Sequence, residues 1–160
     1  MTEVTIYTDG ACPGNGRGGT RGGWAAIVKL DGSDAVREFS GGELDATNQR
    51  MEIRAAIEGL KALELPYTVT VRSDSSYVIN CMNDHWYDKW RDNGWVGSKR
   101  KPVVNRELWE ELLAVVEGSG HTITWKKVDG HANEKPGHVS DEHELFNQRC
   151  DKLAVNAVPA

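Results

Sequence analysis

The sequence has no hydrophobic run long enough to cross a membrane, no basic and apolar leader at its start, and no Cys-x-x-Cys pair. We therefore expect a soluble protein that carries no secretion signal and makes no contact with a membrane. The cysteines Cys12, Cys81 and Cys150 are odd in number and widely spaced, which argues against a disulfide framework or a zinc site. A reducing, cytoplasmic location fits these absences best.

The sequence also lacks an excess of positive charge, internal repeats, low-complexity tracts and any linker that would divide it. A net charge of −5 argues against a protein coated with cations for non-specific nucleic-acid binding, although a local basic patch remains compatible with it. The 160 residues fit one domain that spans residues 1–160. We expect this domain to act as a monomer.

Hydrophobic periodicity predicts a mixed α/β sheet covered by helices. The predicted strands cover residues 4–8, 24–30, 35–40, 67–73 and 121–128. The predicted helices cover residues 47–65, a segment capped by Ser75, a segment from Asn105 to Gly118, and residues 145–157. Thr47 and Asn105 are predicted N-caps, and Pro66 is the predicted stop of the first helix.

Asp9 follows a short alternating strand and precedes a glycine-rich loop. Aspartate is disfavoured in strands, and a carboxylate close to a core is costly unless something pairs with it. Asp-Gly is also a common turn dipeptide, so Asp9 taken alone favours a turn over a catalytic role.

Glu52 is the second unusual carboxylate, because it shares a helical stripe with Ala55, Ala56, Gly59 and Leu63. One explanation is that Glu52 is aimed at the sheet, where buried glutamates are rare unless paired or metal-bound. The other is that it lies at the edge of the stripe and reaches water. The pattern leaves both open.

Asp74 and Asp151 complete a set of four acids. Asp74 follows a predicted strand at the end where open α/β sheets place their ligands, and Asp151 borders the apolar side of the last helix. Converging carboxylates repel one another unless a divalent cation neutralises them. Oxygen ligands without a His or Cys cluster favour Mg²⁺ or Mn²⁺, and a pair of such ions serves the attack of water on a phosphodiester.

Six segments in this order resemble the type 1 ribonucleases H of bacteria, and the resemblance extends from about residue 4 to residue 157. They are residues 7–15, 47–52, 73–78, 95 with 101–105, 128–132 and 147–154. The resemblance implies a ribonuclease H-like α/β fold, with a five-stranded mixed sheet of three antiparallel and two parallel strands flanked by helices. It also implies endonucleolytic hydrolysis of the RNA strand of RNA–DNA hybrids, which leaves 3′-hydroxyl and 5′-phosphate ends.

The same resemblance implies roles for particular side chains. Asp9, Glu52, Asp74 and Asp151 are expected to bind two Mg²⁺ ions with substrate, with Mn²⁺ as the alternative. One ion would activate the attacking water, the other would stabilise the leaving oxygen, and Asp9 would bridge them. His131 corresponds to a mobile catalytic histidine that helps to move protons or release product, and a pKa near neutrality suits that role.

Hybrid binding is implied at two groups of residues. RNA is distinguished from DNA by its 2′-hydroxyl groups, which are read from the minor groove. The residues implied for that reading are Cys12, Asn15, Asn48 and Gln49. The residues implied for the DNA strand are Thr47 and Asn105 at a phosphate, and Trp86 and Trp90 in a basic protrusion.

The protrusion has six cations and two acids between Trp86 and Arg106, with aromatic residues interleaved. Such a patch suits the phosphates and sugars of a nucleic-acid strand. The aromatic residues, Trp95 among them, can also be explained as core residues beneath a solvated face. We expect them to contribute partly to the core and partly to the surface patch.

Several positions depart from the family pattern. They are Asp45 beside the phosphate pocket, Ser76, the acids Asp88 and Asp92 in the protrusion, a glycine loop lengthened by residues 17–23, and a long link at residues 133–146. The acids predict weaker or more salt-sensitive hybrid binding, and the long link leaves the position and mobility of His131 open.

Two other classes of function compete with a hybrid nuclease. A non-catalytic hybrid-binding module would have lost a carboxylate, and all four are present. A transposase, integrase or exonuclease domain of the same fold would lack the aromatic basic protrusion. Cleavage assays on hybrid, duplex and single strands separate the three.

Overall fold

Five strands and five helices make up the regular structure in the described part of the chain. The computed structural model of the protein describes residues 2–14, 20–129, 137 and 141–160. The strands are β1 (Glu3–Ala11), β2 (Arg21–Leu30), β3 (Val36–Leu44), β4 (Thr68–Ser73) and β5 (Thr122–Lys127). The helices are α1 (Asn48–Lys61), α2 (Ser76–Asn83), α3 (Trp86–Asp92), α4 (Arg106–Gly118) and α5 (Glu142–Asn156), with a 3₁₀ turn at Ser98–Arg100.

The strands form one mixed sheet in the order β3-β2-β1-β4-β5. β1, β2 and β3 are antiparallel neighbours, whereas β4 and β5 continue the sheet parallel to β1. The predicted fold class is therefore confirmed. Because β1 and β4 are parallel, their carboxyl ends meet at one edge of the sheet, as ligand-binding α/β sheets require.

Helices cover both faces of the sheet. On one face α1 lies between the sheet and α4, and the core there includes Ile6, Val71, Ile57 and Trp109. On the other face α5 packs against a smaller cluster around Tyr7. None of the helices that the structure describes is both long and apolar enough to cross a membrane.

Three strands are longer than the sequence pattern predicts, and one of them, β3, continues to Leu44. β1 continues through Asp9 to Ala11, and Asp9 is paired with Ala25 of β2. The explanation of Asp9 as a turn residue is therefore wrong, because the antiparallel ladder with β2 holds this dipeptide extended. β2 begins at Arg21, so the last part of the segment interpreted as a lengthened glycine loop belongs to the strand.

Two helix boundaries also differ from prediction. α1 ends at Lys61, before the predicted last residue at position 65 that precedes the stop signal Pro66. α5 begins at Glu142, three residues before the predicted start at residue 145. The Asp141 side chain accepts a hydrogen bond from the Glu144 backbone N–H at 2.8 Å, which makes Asp141 the N-cap.

Gly10 allows α1 to approach β1 closely. A Cβ atom at Gly10 would lie 2.6 Å from the backbone nitrogen of Glu52 and 2.6 Å from the carbonyl carbon of Met51. Because both are backbone atoms, a side chain at this position would force the helix away from the strand. The close approach brings Glu52 next to the end of β1.

We predict that Gly10→Ala lowers the free energy of unfolding by about 1–3 kcal/mol, the usual cost of overpacking a tight contact. Urea unfolding measures this change. Gly118→Ala is the matched control, because its added Cβ meets no atom within 4 Å, and its stability should stay close to that of the unmodified protein. Equal unfolding midpoints for Gly10→Ala and the unmodified protein would contradict the close-approach explanation.

Candidate active site

Asp9 is a buried carboxylate on the central strand of the sheet. Only 3% of its surface is exposed. Its Oδ1 atom accepts a hydrogen bond from the Gly10 backbone N–H at 2.9 Å. Its Oδ2 atom is also buried and has no hydrogen-bond partner among the residues that the structure describes. A buried acceptor without a partner is costly, so this oxygen is available to a ligand.

Glu52 approaches Asp9 from α1. The residue as a whole is half-buried, but its Oε2 atom is buried and, within the described ranges, has no hydrogen-bond partner. Of the two explanations that the helical pattern leaves open, the structure confirms the one in which Glu52 is aimed at the sheet. Ala55, Ala56 and Gly59 of the same stripe are buried, as the pattern predicts.

Asp74 brings a third carboxylate to the same place, because it directly follows β4, the parallel neighbour of β1. One carboxylate oxygen from each of Asp9, Glu52 and Asp74 lies within 4.8 Å of the other two. The sequence-based prediction that these acids converge is thus confirmed for three of the four.

The cluster disfavours the ionised forms of its own members. Burial, followed by the charges of Asp74 and Asp151, raises the pKa of Asp9 to about 8. Burial together with the charges of Asp9 and Asp74 raises the pKa of Glu52 well above its ordinary value. Burial also raises the pKa of Asp74. At neutral pH the cluster therefore needs a source of positive charge if all three groups are to be ionised.

Asp151 lies beside this cluster. It is exposed on α5 and is not one of the three acids whose oxygens lie within 4.8 Å of one another. Its charge nevertheless raises the pKa values of Asp9 and Asp74, so its carboxylate lies near both.

Asn147 is a neighbour of the site that the sequence did not single out for a role. It is buried with 4% exposure, and its side chain lies beside Asp74, where its amide opposes the rise in the Asp74 pKa. Asn147 precedes Asp151 by four residues on α5, so both project from one helical face. This four-residue spacing from Asp151 is the sequence signal that could have indicated Asn147 as a neighbour of the site.

The residues predicted to read the RNA strand differ in their exposure. Asn48 and Gln49 are exposed in the first turn of α1. The Cys12 side chain is buried and its thiol donates to the Ala46 carbonyl at 3.4 Å, so any contact of Cys12 with a sugar must come from its backbone. Asn15 and His131 lie outside the described residues.

The protrusion combines core and surface aromatics, as expected. Trp95 is buried with the core, whereas Trp86 and Trp90 of α3 are half-buried, with ring centroids 6.3 Å apart. The six cations of the protrusion are exposed: Lys89, Arg91, Lys99, Arg100, Lys101 and Arg106. Two of them form ion pairs with glutamates of α4: Arg91 with Glu117 and Arg106 with Glu110.

The whole chain matches a known family. Residues 1–159 match the family model described as RNase H. The chain belongs to the ribonuclease H family. Ribonucleases H hydrolyse the RNA strand of RNA–DNA hybrids, so the chain is a nuclease of this class.

Curated relatives of this ribonuclease H cover nearly its full length. It is 46% identical over 155 residues to the ribonuclease H of Caldanaerobacter subterraneus subsp. tengcongensis. The alignment covers 97% of this chain and 90% of the relative. It is 47% identical over 160 residues to the ribonuclease H of Moorella thermoacetica, with coverages of 100% and 94%.

Solved structures share the fold. The crystal structure of LC9-RNase H1, described as a type 1 RNase H with the type 2 active-site motif, has a TM-score of 0.78 at 30% identity and covers 98% of this chain and 72% of that one. The solution structure of the PFV RNase H domain also has a TM-score of 0.78, at 26% identity, with coverages of 98% and 94%.

The acid cluster of this ribonuclease H fits a divalent metal ion. Its ligand atoms are carboxylate oxygens, which suit hard cations such as Mg²⁺ and Mn²⁺. Asp9 Oδ2 and Glu52 Oε2 are buried without hydrogen-bond partners in the described part of the chain. Within the same residues, no Lys or Arg forms a salt bridge with Asp9, Glu52 or Asp74.

We predict that Asp9→Asn stabilises the metal-free protein at high pH. Because the native pKa of about 8 exceeds the unfolded value, the free energy of unfolding of the unmodified protein falls as pH rises from about 4 to 8. Asn does not titrate, so the Asp9→Asn variant does not lose this part of the free energy of unfolding. In EDTA at pH 8 we expect a gain of about 1–3 kcal/mol in urea unfolding, which disappears near pH 4.

Asp34→Asn provides the matched control, because Asp34 is an exposed acid outside the cluster. Its unfolding should keep the pH dependence of the unmodified protein. If Asp9→Asn is instead less stable than the unmodified protein at pH 8 in EDTA, repulsion within the cluster is not the dominant interaction.

Proposed function

We propose that this ribonuclease H cleaves the RNA strand endonucleolytically with two divalent cations and leaves 3′-hydroxyl and 5′-phosphate ends. The observation that carries the proposal is the convergence of Asp9, Glu52 and Asp74, with two buried oxygens that lack partners among the described residues. Asp151 is the proposed fourth ligand, contributed from the exposed side. Mg²⁺ is the proposed ion, with Mn²⁺ as the alternative.

Each acid has a distinct part in this proposal. When bound, two such cations lower the pKa of a water and offset the charge that develops on the leaving oxygen. Asp9 would be the shared ligand, since Gly10 orients one of its oxygens and the other has no hydrogen-bond partner among the described residues. Glu52 would bind from α1, and Asp74 would bind from the end of β4. With these ligands, the chain needs no separate carboxylate as a general base.

The RNA strand is proposed to lie along the start of α1. Asn48 and Gln49 precede Glu52 by four and three residues, so they project from α1 near the same face, one turn away from the metal ligand. Their amide groups can both donate to and accept from a 2′-hydroxyl. Cys12, through its backbone, and Asn15 are proposed to complete this contact with the RNA strand.

The DNA strand is proposed to lie against the other group of residues. Thr47 and Asn105 are proposed to contact a phosphate of this strand, and Trp86 and Trp90 its sugars. The half-buried indole rings and the exposed cations of the protrusion support this assignment.

The remaining assignments rest on the family resemblance. His131 is proposed to move protons or assist product release. The chain is proposed to form one domain over residues 1–160 and to act as a monomer in the cytoplasm. The family match over residues 1–159 supports the single domain.

We predict that Asp9→Asn lowers the rate of hybrid cleavage by about 10³-fold or more, because several kcal/mol of charge stabilisation are lost. Asp151→Asn should lose less activity, because Asp151 is exposed and lies outside the three-acid cluster. The assay uses a hybrid with the RNA or the DNA strand labelled, in Mg²⁺ and in EDTA, and polymerase extension of the products detects 3′-hydroxyl ends.

Asp34→Asn serves again as the matched control and should retain full activity. Binding of the hybrid without cleavage in Mg²⁺ would favour a binding module. Cleavage of duplex or single-stranded DNA at equal rates would favour another nuclease class of this fold. Full activity of Asp9→Asn would exclude the proposed metal site.

A further inference from the structure

Asn105 occupies an N-cap position without acting as a cap. It directly precedes α4, yet its side chain makes no capping hydrogen bond, and its backbone has a φ of +65°. Asn tolerates this left-handed conformation better than most residues, but the position still forgoes the stability that a side-chain cap provides. The residue is also buried, with 9% exposure. Its side chain is therefore committed to other contacts.

Those contacts fix the orientation of the Asn105 amide. The Arg50 guanidinium donates from Nη1 to Asn105 Oδ1 at 3.3 Å, and Asn105 Nδ2 donates to the Tyr77 hydroxyl at 3.4 Å. A guanidinium only donates, so the amide oxygen must face Arg50 and the amide nitrogen must face Tyr77. One of the two Nδ2 hydrogens is used by Tyr77. Among the described residues, no acceptor takes the other hydrogen.

Tyr77 is itself held in place. Its hydroxyl oxygen also accepts from the indole N–H of Trp109 at 3.1 Å, so both of its acceptor positions are used. Its ring packs against Trp109 and Trp86, with centroid distances of 5.2 and 6.4 Å. The hydroxyl cannot leave Asn105 without also leaving the indole.

Arg50 links this amide to Thr47. The Thr47 hydroxyl oxygen accepts from the Arg50 backbone N–H at 3.1 Å, which leaves the hydroxyl hydrogen to be donated. Through its backbone and its side chain, Arg50 thus leaves Thr47 and Asn105 each with a hydrogen to donate. Two donors held by the same residue suit an anionic phosphate oxygen.

The Arg50 charge is largely offset, because its guanidinium is also paired with Glu107. This pairing lowers the pKa of Glu107. Arg50 is therefore better placed to orient a neighbour than to act as an unpaired cation.

We propose that Arg50 and Tyr77 are positioning residues that lock the Asn105 amide so that one N–H faces a phosphate of the DNA strand. The inference rests on the proposed function, in which Thr47 and Asn105 contact that strand. It adds two residues that act by orienting their neighbours: Tyr77 acts through Asn105, and Arg50 acts through Asn105 and Thr47.

The test is a double-mutant cycle on hybrid binding. Tyr77→Phe removes only the hydroxyl, and Asn105→Gly removes the side chain while tolerating the positive φ. Both changes, singly and together, are made in the Asp9→Asn protein, and fluorescence anisotropy with a labelled RNA–DNA hybrid gives Kd. We expect Tyr77→Phe to weaken binding by about 3- to 10-fold, the range for one hydrogen bond. The double variant should bind no more weakly than Asn105→Gly alone.

Tyr67→Phe is the matched control, because Tyr67 precedes the opposite end of β4 from Asp74. Its Kd should be unchanged. With Asp9 intact, Tyr77→Phe should raise KM and leave kcat unchanged. If Tyr77 had a purely structural role, the substitution would lower Tm without raising KM selectively over kcat.

Two results would overturn the proposal. Additive losses in the double variant would show that Tyr77 does not act through Asn105, and an unchanged Kd for a folded Tyr77→Phe would show that it does not act on binding. Failure of the folded Asp9→Asn protein to bind hybrid at all is a separate result, which would overturn the proposed function and this inference with it.

Discussion

Electrostatic repulsion among buried carboxylates is the constraint on which the rest of this structure depends. Asp9, Glu52 and Asp74 place oxygens within 4.8 Å of one another, on elements whose positions are fixed by the sheet and by α1. Burial prevents water from screening this repulsion, and in the described residues no lysine or arginine offsets it through a salt bridge. The fold therefore holds the acids in an arrangement that a divalent cation stabilises.

The backbone provides the rigidity that this arrangement requires. The parallel pairing of β1 and β4 brings Asp9 and Asp74 to one edge of the sheet, and the missing side chain of Gly10 lets α1 deliver Glu52 to the same edge. α2 is joined to α4 in a comparable way, since the Tyr77 hydroxyl accepts hydrogen bonds from Trp109 of α4 and from Asn105, which precedes α4. In both places, residues proposed to act on substrate are held by contacts between separate elements of the fold.

Much of this could be predicted from the sequence, because local patterns report local physics. The helical stripe of Glu52 and the cap at Ser75, whose hydroxyl accepts from the Val78 N–H, are such patterns. Contacts between distant segments could not be predicted in the same way. Pairing with β2 keeps Asp9 in a strand, and Arg50 with Tyr77 diverts Asn105 from capping. None of these partners is adjacent in sequence to the residue it contacts. Local propensity alone therefore favoured a turn at Asp9 and a cap at Asn105.

The central claim is that the acid cluster is held partly protonated until a cation binds, and carboxyl-detected ¹³C NMR of Asp9 tests it most directly. In EDTA the Asp9 carboxyl should titrate near pH 8, where burial and its acidic neighbours place its pKa. On addition of Mg²⁺ that titration should move to much lower pH, because the cation favours the ionised form. Titration of Asp9 near its ordinary value of 3.8 in EDTA, or a pKa unchanged by Mg²⁺, would contradict the account.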